Sequence, residues 1–257
     1  MSIPTKIFII PYKNRGSQKH HFEIYMKYIL EDLPKSDYEI YFSHQTDNRP
    51  FNRGATKNIG FLAMKAKYPN HYKNISFIFN DIDTMPIRKN ILNFATTEGT
   101  VKHYYGFKFA LGGIFSITGA DFEKCGGFPN FWGWGLEDNC IQNRIVRNNI
   151  TIDRSTFYEY LNHNILHIND DLKKLLTKQD VYRYKYHTTD TLNDIRNLDY
   201  IIEDNFIHIK NFNTKFNFEN DVFYNKHIQE GLGKITGDVN FDPRKKHSLK
   251  KMQFKNR

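Results

Sequence analysis

Residues 75–83 read ISFIFNDID. The unbroken apolar character of Ile75–Phe79 suits a strand buried on both faces, and it runs directly into two acids, Asp81 and Asp83. Working outward, Lys6–Ile10 (KIFII) is a similar run, ended by Pro11, and Tyr38–Ser43 (YEIYFS) reads as another strand. Between them, His21–Leu33 carries Phe22, Tyr25, Met26, Ile29, Leu30 and Leu33 at the helical period, and Thr56–Ala66 (TKNIGFLAMKA) reads as a second helix. Strand, helix, strand, helix, strand predicts right-handed βαβ units and an α/β fold with a mostly parallel sheet flanked by helices. Ligands of such sheets bind beyond the carboxyl ends of the strands. Both PYKNR (11–15) and the Asp81-Ile82-Asp83 triplet belong at that edge. The chain beyond about residue 150 is Asn-rich and less patterned, with strand-like stretches at Tyr182–His187 and Phe206–Ile209.

Composition narrows the class. With 257 residues, 39% hydrophobic and 16% aromatic, the chain can bury a full core, which excludes wholesale disorder. Mean hydropathy is −0.65, and no apolar run approaches the roughly 20 residues of a spanning helix. The N-terminus lacks the pattern of a secretory signal, since Ile7–Ile10 meets Pro11 and charge at once. Two cysteines, Cys125 and Cys140, make neither a disulfide framework nor a zinc spacing, so a cytoplasmic, reducing setting is expected. The net charge of +9 suggests nucleic acid until it is located: seven basic residues fall in PRKKHSLKKMQFKNR from Pro243, leaving +2 for the body. A single domain over 1–242 is expected, with a nucleotide-binding half near 1–100 and an acceptor half near 101–242. The basic tail 243–257 reads as solvated, with an anionic membrane or nucleic acid as its alternative partners.

Two constellations can carry chemistry. In Asp81-Ile82-Asp83 the residues at i and i+2 share one face of extended chain, so both carboxylates can address one site. Hard oxygen donors suit Mg²⁺ or Mn²⁺ and, through it, a diphosphate, although acid pairs after strands are commonly turn formers. Phe128–Asn139 reads FPNFWGWGLEDN and holds both tryptophans, Trp132 and Trp134, between glycines, with Glu137 and Asp138 opening a helix. Indole faces suit sugar rings, and a carboxylate beside them is a candidate general base. The alternative is that the tryptophans are core and the acids only favour a helix N-terminus. His167, in ILHINDD, can join an acidic metal site and tilt it toward Mn²⁺ over Mg²⁺, or be an ordinary satisfied histidine. No covalent nucleophile motif, phosphate loop or G-x-G-x-x-G is present.

In order along the chain, IIPYKNR (9–15), FNRGATKNIGF (51–61), FIFNDIDTMP (77–86), YYGFKFAL (104–111) and GFPNFWGWGLEDN (127–139) resemble the β-1,4-galactosyltransferase family, glycosyltransferase family 7-like, across about residues 6–170. The resemblance implies the GT-A nucleotide-sugar transferase fold and an Mn²⁺-dependent, inverting transfer of a sugar, galactose first, from a UDP-sugar donor to a glycan acceptor. It implies that Pro11, Tyr12, Lys13, Arg15, Phe51 and Arg53 line the nucleotide pocket and that Asp81 and Ile82 touch the nucleoside. Asp83 and His167 would ligate the metal, with Asn169 or another residue completing the site. Asp138 would be the catalytic base, with Glu137, Trp132, Trp134, Gly135, Tyr104 and Phe107 around the sugars and a lid over about Ile168–Lys185. The sequence departs from the family at Lys13 (for arginine), Asn139 (for a third acid), Leu136 (for glycine) and Phe107 (for glycine), which puts sugar and acceptor identity in doubt. An Asn- and Lys-rich member of this kind resembles a viral or bacterial relative more than an animal one.

Overall fold

The computed structural model describes residues 2–168, 174–186 and 190–225. The tail 243–257, Asn169 and part of the expected lid lie outside them. In chain order the elements are β1 (Lys6–Tyr12), α1 (Gly16–Ile29), β2 (Tyr38–Gln45), α2 (Arg53–Lys67), β3 (Ser76–Asn80), β4 (Thr84–Pro86), β5 (Thr100–Phe107), β6 (Ala110–Thr118), α3 (Gly119–Lys124), α4 (Glu137–Arg147), β7 (Thr151–Asp153), β8 (Tyr158–Glu159), β9 (Ile165–His167), β10 (Leu175–Thr177), α5 (Lys178–Tyr186), β11 (Arg196–Glu203), β12 (Phe206–Asn213) and β13 (Phe223–Asn225).

The central sheet has the order β11-β12-β2-β1-β3-β6-β5-β7, with β8 also paired to β5. β1 is parallel to β2 on one side and to β3 on the other, so the chain reverses its direction of travel across the sheet at β1. That makes the carboxyl ends of β1 and β3 a topological switch point, the place where such sheets open a crevice. β6 then joins β3 antiparallel, and β5 joins β6 antiparallel. The fold is GT-A, a mixed sheet with a parallel nucleus and flanking helices.

The continuous apolar strands follow from this position. Along β1, Ile7 and Ile9 pack with Ile59 and Phe61 of α2 on one face. Phe8 and Ile10 pack with Phe22 and Met26 of α1 on the other. A strand buried on both faces has no polar side to show, which is why it reads as a run and not as an alternation.

Three expectations are corrected. Pro11 does not end β1: the β1–β3 ladder stops at the Ile9–Phe79 pair, so at Pro11 no donor is needed on that side and the strand continues beside β2 to Tyr12. α1 and α2 begin earlier than expected, at Gly16 and Arg53, the latter because the buried Asn52 caps it by accepting from Ala55 N at 2.9 Å. Tyr182–His187 is not strand-like: its alternating residues lie mostly in α5, where Arg183 pairs back to Asp180 and across to Asp221. β12, from the C-terminal portion, lies parallel beside β2, so both portions of the chain share the central sheet. Among the described residues no helix is long and apolar enough to cross a membrane.

Candidate active site

Helix α2 delivers two cations to the switch point. Arg53 and Lys57 are one turn apart and so share a helix face. The Arg53 guanidinium donates to Glu137 Oε1 and to Asp81 Oδ1, both at 2.6 Å. The Lys57 ammonium donates to Asp138 Oδ1 at 3.1 Å and stands 3.9 Å from Asp81 Oδ1. A third cation, Arg15, follows β1 and reaches Asp83 Oδ2 at 3.4 Å. The sequence-predicted acids Asp81, Asp83, Glu137 and Asp138 therefore converge from two distant stretches, with Arg53 and Lys57 tying them together.

The loop that carries the tryptophans is fastened to the same helix. Asn58 of α2 accepts from Phe128 N at 2.9 Å and donates to Phe128 O and Asn130 Oδ1. Gly54 leaves so little room that a Cβ there would lie 1.9 Å from Pro129 O. Farther along the loop, Gly133 N donates to Asp180 Oδ2 at 2.6 Å, and Trp134 N to Leu175 O at 2.6 Å. Leu136, at the start of α4, holds φ +68, a left-handed conformation that costs a branched residue about 1–2 kcal/mol. The departure from glycine at this position is thus strain at the doorstep of Glu137 and Asp138.

Charge sets the state of the acids. Burial alone would raise the Asp81 carboxyl, but Arg53 and then Lys57 outweigh it and hold it below the usual carboxylate range. Asp83 goes the other way: burial and the neighbouring Asp81 raise it, against Arg15 and His167. Burial also raises Glu137, with Arg53 opposing and Asp138 adding to the rise. Glu137 Oε2 is buried with no hydrogen-bond partner among the described residues, an unsatisfied acceptor in the acid cluster.

A cleft of ≈ 320 Å³ opens beside these acids, lined by Lys13, Arg49, Phe51, Arg53, Trp132 and Trp134 among others. Arg53 belongs both to this cleft and to the acid cluster. Arg49, which sequence reasoning passed over, lies over the rings of Trp132 and Phe212 at 4.8 and 4.4 Å and pairs with Asp47. Lys13 is also bonded to Asp47, whose carboxyl Arg49 and Gln45 keep low against the rise that burial would bring.

The remaining expected site residues fall in different places. Tyr12 packs edge-on to Phe42, His44 and Phe206 at the end of β1, and Pro11 is buried in the strand. Ile82 is corrected: its side chain is 1% exposed and belongs to the apolar cluster with Ile78 and Met85, so only its backbone is at the acid loop. Trp132 is corrected in part. It is 2% exposed, stacked on Phe212 at 5.4 Å, and it donates Nε1 to Thr214 and Phe216, so it forms the cleft's wall and offers no free face to a sugar. Trp134 is half-buried, with Lys174 over its ring. Gly135 has φ +98 and open space on its Cβ side.

Tyr104 is the clearest correction. A register irregularity in β5 turns its hydroxyl to Asn93 O and Ser116 Oγ, in the core. Its neighbour Tyr105 faces the site instead, its hydroxyl 3.2 Å from His167 Nδ1 and accepting from Leu161 N. Phe107 stacks with Phe109 and Tyr160 at 5.2 and 5.0 Å, outside the cleft.

The residues at Asp83 fit a hard, borderline cation. β9 pairs with β4 so that His167 lies opposite Thr84, and Ile168 N donates to Asp83 O at 2.8 Å, which brings imidazole and carboxylate to one loop. With Nδ1–H given to Tyr105 Oη, Nε2 keeps its lone pair for a metal. Two carboxylates, one of them raised by the other, are what a divalent cation would relieve. Among the described residues no three His, Cys, Asp or Glu side chains gather closely enough to chelate an ion by themselves. Neither cysteine is a nucleophile, since burial pushes the Cys125 and Cys140 thiols to about 12 and about 11.

Residues 3–94 match the family model described as the N-terminal region of glycosyl transferase group 7, and residues 93–168 the one described as the N-terminal domain of galactosyltransferase. The chain belongs to the β-1,4-galactosyltransferase family. It is 32% identical to mouse β-1,4-galactosyltransferase 1 over 161 residues, which is 59% of this chain and 39% of that protein. It is 32% identical to β-1,4-galactosyltransferase 4 of Cricetulus griseus over 164 residues, 57% of this chain and 44% of that one. The chain thus aligns with about two-fifths of the length of these relatives. Among solved structures, the catalytic domain of Drosophila β1,4-galactosyltransferase 7 in complex with xylobiose superimposes with a TM-score of 0.64 at 20% identity, covering 84% of this chain and 96% of that one. A mutant of the same fly enzyme, solved with manganese, UDP-Gal and xylobiose, gives the same TM-score.

Proposed function

We propose that this protein is an Mn²⁺-dependent inverting glycosyltransferase that moves a hexose, galactose first, from UDP to a glycan hydroxyl with a β-1,4 linkage. The observation that supports this most is the joint membership of Arg53 in the cleft and in the acid cluster that holds Asp138. A nucleotide diphosphate in the cleft meets Lys13 and Arg53, with Arg15 close by on the loop after β1, and Phe51 and Tyr12 are the flat surfaces near its base. Asp83 and His167 would hold the Mn²⁺, which when bound neutralises charge on the departing diphosphate.

The rest is carried by this chain's own side chains. Asp138 accepts the proton of the acceptor hydroxyl as that oxygen bonds to the anomeric carbon. The bond from that carbon to the UDP oxygen breaks on the opposite face, and UDP leaves with the electron pair. Configuration inverts in one displacement. Glu137 offers Oε2 to a sugar hydroxyl, and Trp134 covers the cleft beside the reacting centre.

Manganese, UDP-Gal and xylobiose, bound by the fly relative, are the first set to try. The test is UDP release with Mn²⁺ across UDP-Gal, UDP-GalNAc, UDP-GlcNAc and UDP-Glc, with and without acceptor. Turnover of one donor that EDTA abolishes supports the reading and names the sugar. No turnover, together with no metal-dependent UDP binding, replaces it with a catalytically inactive carbohydrate-binding module. The Asn- and Lys-rich composition supports a viral or bacterial source, and the two buried free thiols support a cytoplasmic setting, in the host or the virion for a virus. Fractionation of the producing cells tests the setting, and liposome sedimentation with and without residues 243–257 tests the tail against anionic membrane.

A further inference from the structure

We infer that Lys57 is a positioning residue for the proposed base: its ammonium holds the Asp138 carboxylate in place and aims it at the acceptor. The inference rests on the transferase reading above. Lys57 lies in a helix buried almost all round, from Gly54 through Phe61, and its own side chain is 2% exposed. A lysine is placed there only if it is paired. Its ammonium sits 4.5 Å from the Phe128 ring centroid and 3.1 Å from Asp138 Oδ1.

Arg53 cannot take over this role. Its two terminal nitrogens are committed to Glu137 and Asp81. Among the described residues Lys57 is the cation within hydrogen-bond reach of Asp138. The other end of the carboxylate is fixed by shape. A Cβ on Gly112 of β6 would lie 2.5 Å from Asp138 Oδ2 and 2.9 Å from its Cγ, so the group rests flat on a glycine. One oxygen is thus held by charge and the other by the floor beneath it, which leaves Oδ2 to receive the proton.

The charges around Asp138 show what Lys57 adds. Glu137 on α4 and Asp81 after β3 bring like charge to the crevice, and Arg53 and Lys57 on α2 bring the opposite charge. Four carboxylates, Asp81, Asp83, Glu137 and Asp138, face three cations, Arg15, Arg53 and Lys57, so the loss of one cation falls on the acid it touched.

The test compares wild type with K57M, K57R and G112A, all confirmed as folded by their melting transitions. Methionine keeps the stem against Phe128 and removes only the charge. K57M is expected to lower kcat about 10- to 100-fold while donor KM stays within about threefold. The acidic limb of its pH–rate profile is expected to move up by about one unit, because removing a cation eases protonation of the carboxylate. K57R restores much of kcat and returns the limb. G112A, which lifts the carboxylate off its seat without changing charge, lowers kcat with the limb in place. K57M with wild-type kcat and an unmoved limb overturns the inference. If wild type transfers no sugar at all, the transferase reading falls, and a crystal structure of K57M still decides the positioning claim. An Asp138 carboxylate swung away from Gly112 upholds it, and one that has not moved refutes it.

Discussion

Acidification should unlock the floor beneath the proposed base. His103 on β5 is 1% exposed, and its Nε2 lies 3.0 Å from Tyr105 O and 3.1 Å from Gly112 O. Two carbonyl neighbours require Nε2 to carry the proton. Nδ1 is then the acceptor for Arg154 Nε at 3.1 Å, so no room remains for a second proton. Burial first, and the Arg154 charge second, lower its pKa from 6.5 to about 4. The unfolded chain takes up a proton near pH 6.5 and the folded one only near pH 4. Stability is therefore complete above the unfolded value and is lost as pH falls between the two. At about 1.4 kcal/mol per unit, the full window amounts to about 3 kcal/mol. The assay is urea unfolding at pH 7 and at about pH 4.5 for wild type and H103Q, glutamine being a donor that cannot titrate in this range. Wild type should lose about 2–3 kcal/mol more than H103Q over that interval. His44, also lowered to about 4 by burial, His208 and Lys13, is present in both proteins and cancels. Parallel loss in the two proteins would refute a neutral, doubly engaged His103.

Other outcomes can be checked together. D138N keeps the shape over Gly112 and an acceptor for Lys57, so it should cut kcat by about 10²–10⁴ with UDP affinity near wild type by calorimetry. D83N should remove the Mn²⁺-dependent increment of UDP binding, with the metal-free affinity changed little. W132A should destabilise by about 3–5 kcal/mol in thermal or urea unfolding, because the indole is buried against Phe212 and Phe218, whereas W134A should cost far less stability and act on donor KM.

How much of this was legible beforehand depended on whether the signal was local. The βαβαβ nucleus was, because each strand buried on both faces is a run of apolar residues that needs no partner to be seen. The acids were, because Asp81, Asp83, Glu137 and Asp138 stand at element ends, where the topology sends ligands. Helix α2 was read three residues late, although Asn52 was a visible N-cap, and that lateness hid the relation between Arg53 and Lys57. With the helix begun at Arg53, the two cations fall one turn apart on the helix's buried first half, and such a pair has to find carboxylates. Tyr104 and Tyr105 were beyond reach for a different reason. The irregularity in β5 breaks the alternation that would have said which tyrosine faces inward, and a bulge leaves no mark in the residues themselves. The tryptophans were half legible: the spacing marked a special loop, but only Arg49, Phe212 and Phe218, far away in sequence, decide that Trp132 is wall.

The same helix explains why a cluster this charged can fold. Four acids at a partly buried crevice would repel one another, and the desolvation of each would cost several kcal/mol without partners. Asn52 fixes where α2 starts, Gly54 and Asn58 fix how closely it lies on the loop 128–130, and those two constraints set the height of Arg53 and Lys57 over the acids. One capped helix thus positions the tryptophan loop and neutralises the acids at once. The register is consequential: a shift of one residue would turn both cations by about 100° and leave Glu137, at 3% exposure, charged and unpaired. The stability of the fold and the geometry of the base therefore depend on the same contacts, and a variant that loosens α2 from the loop should lose transfer before it loses structure.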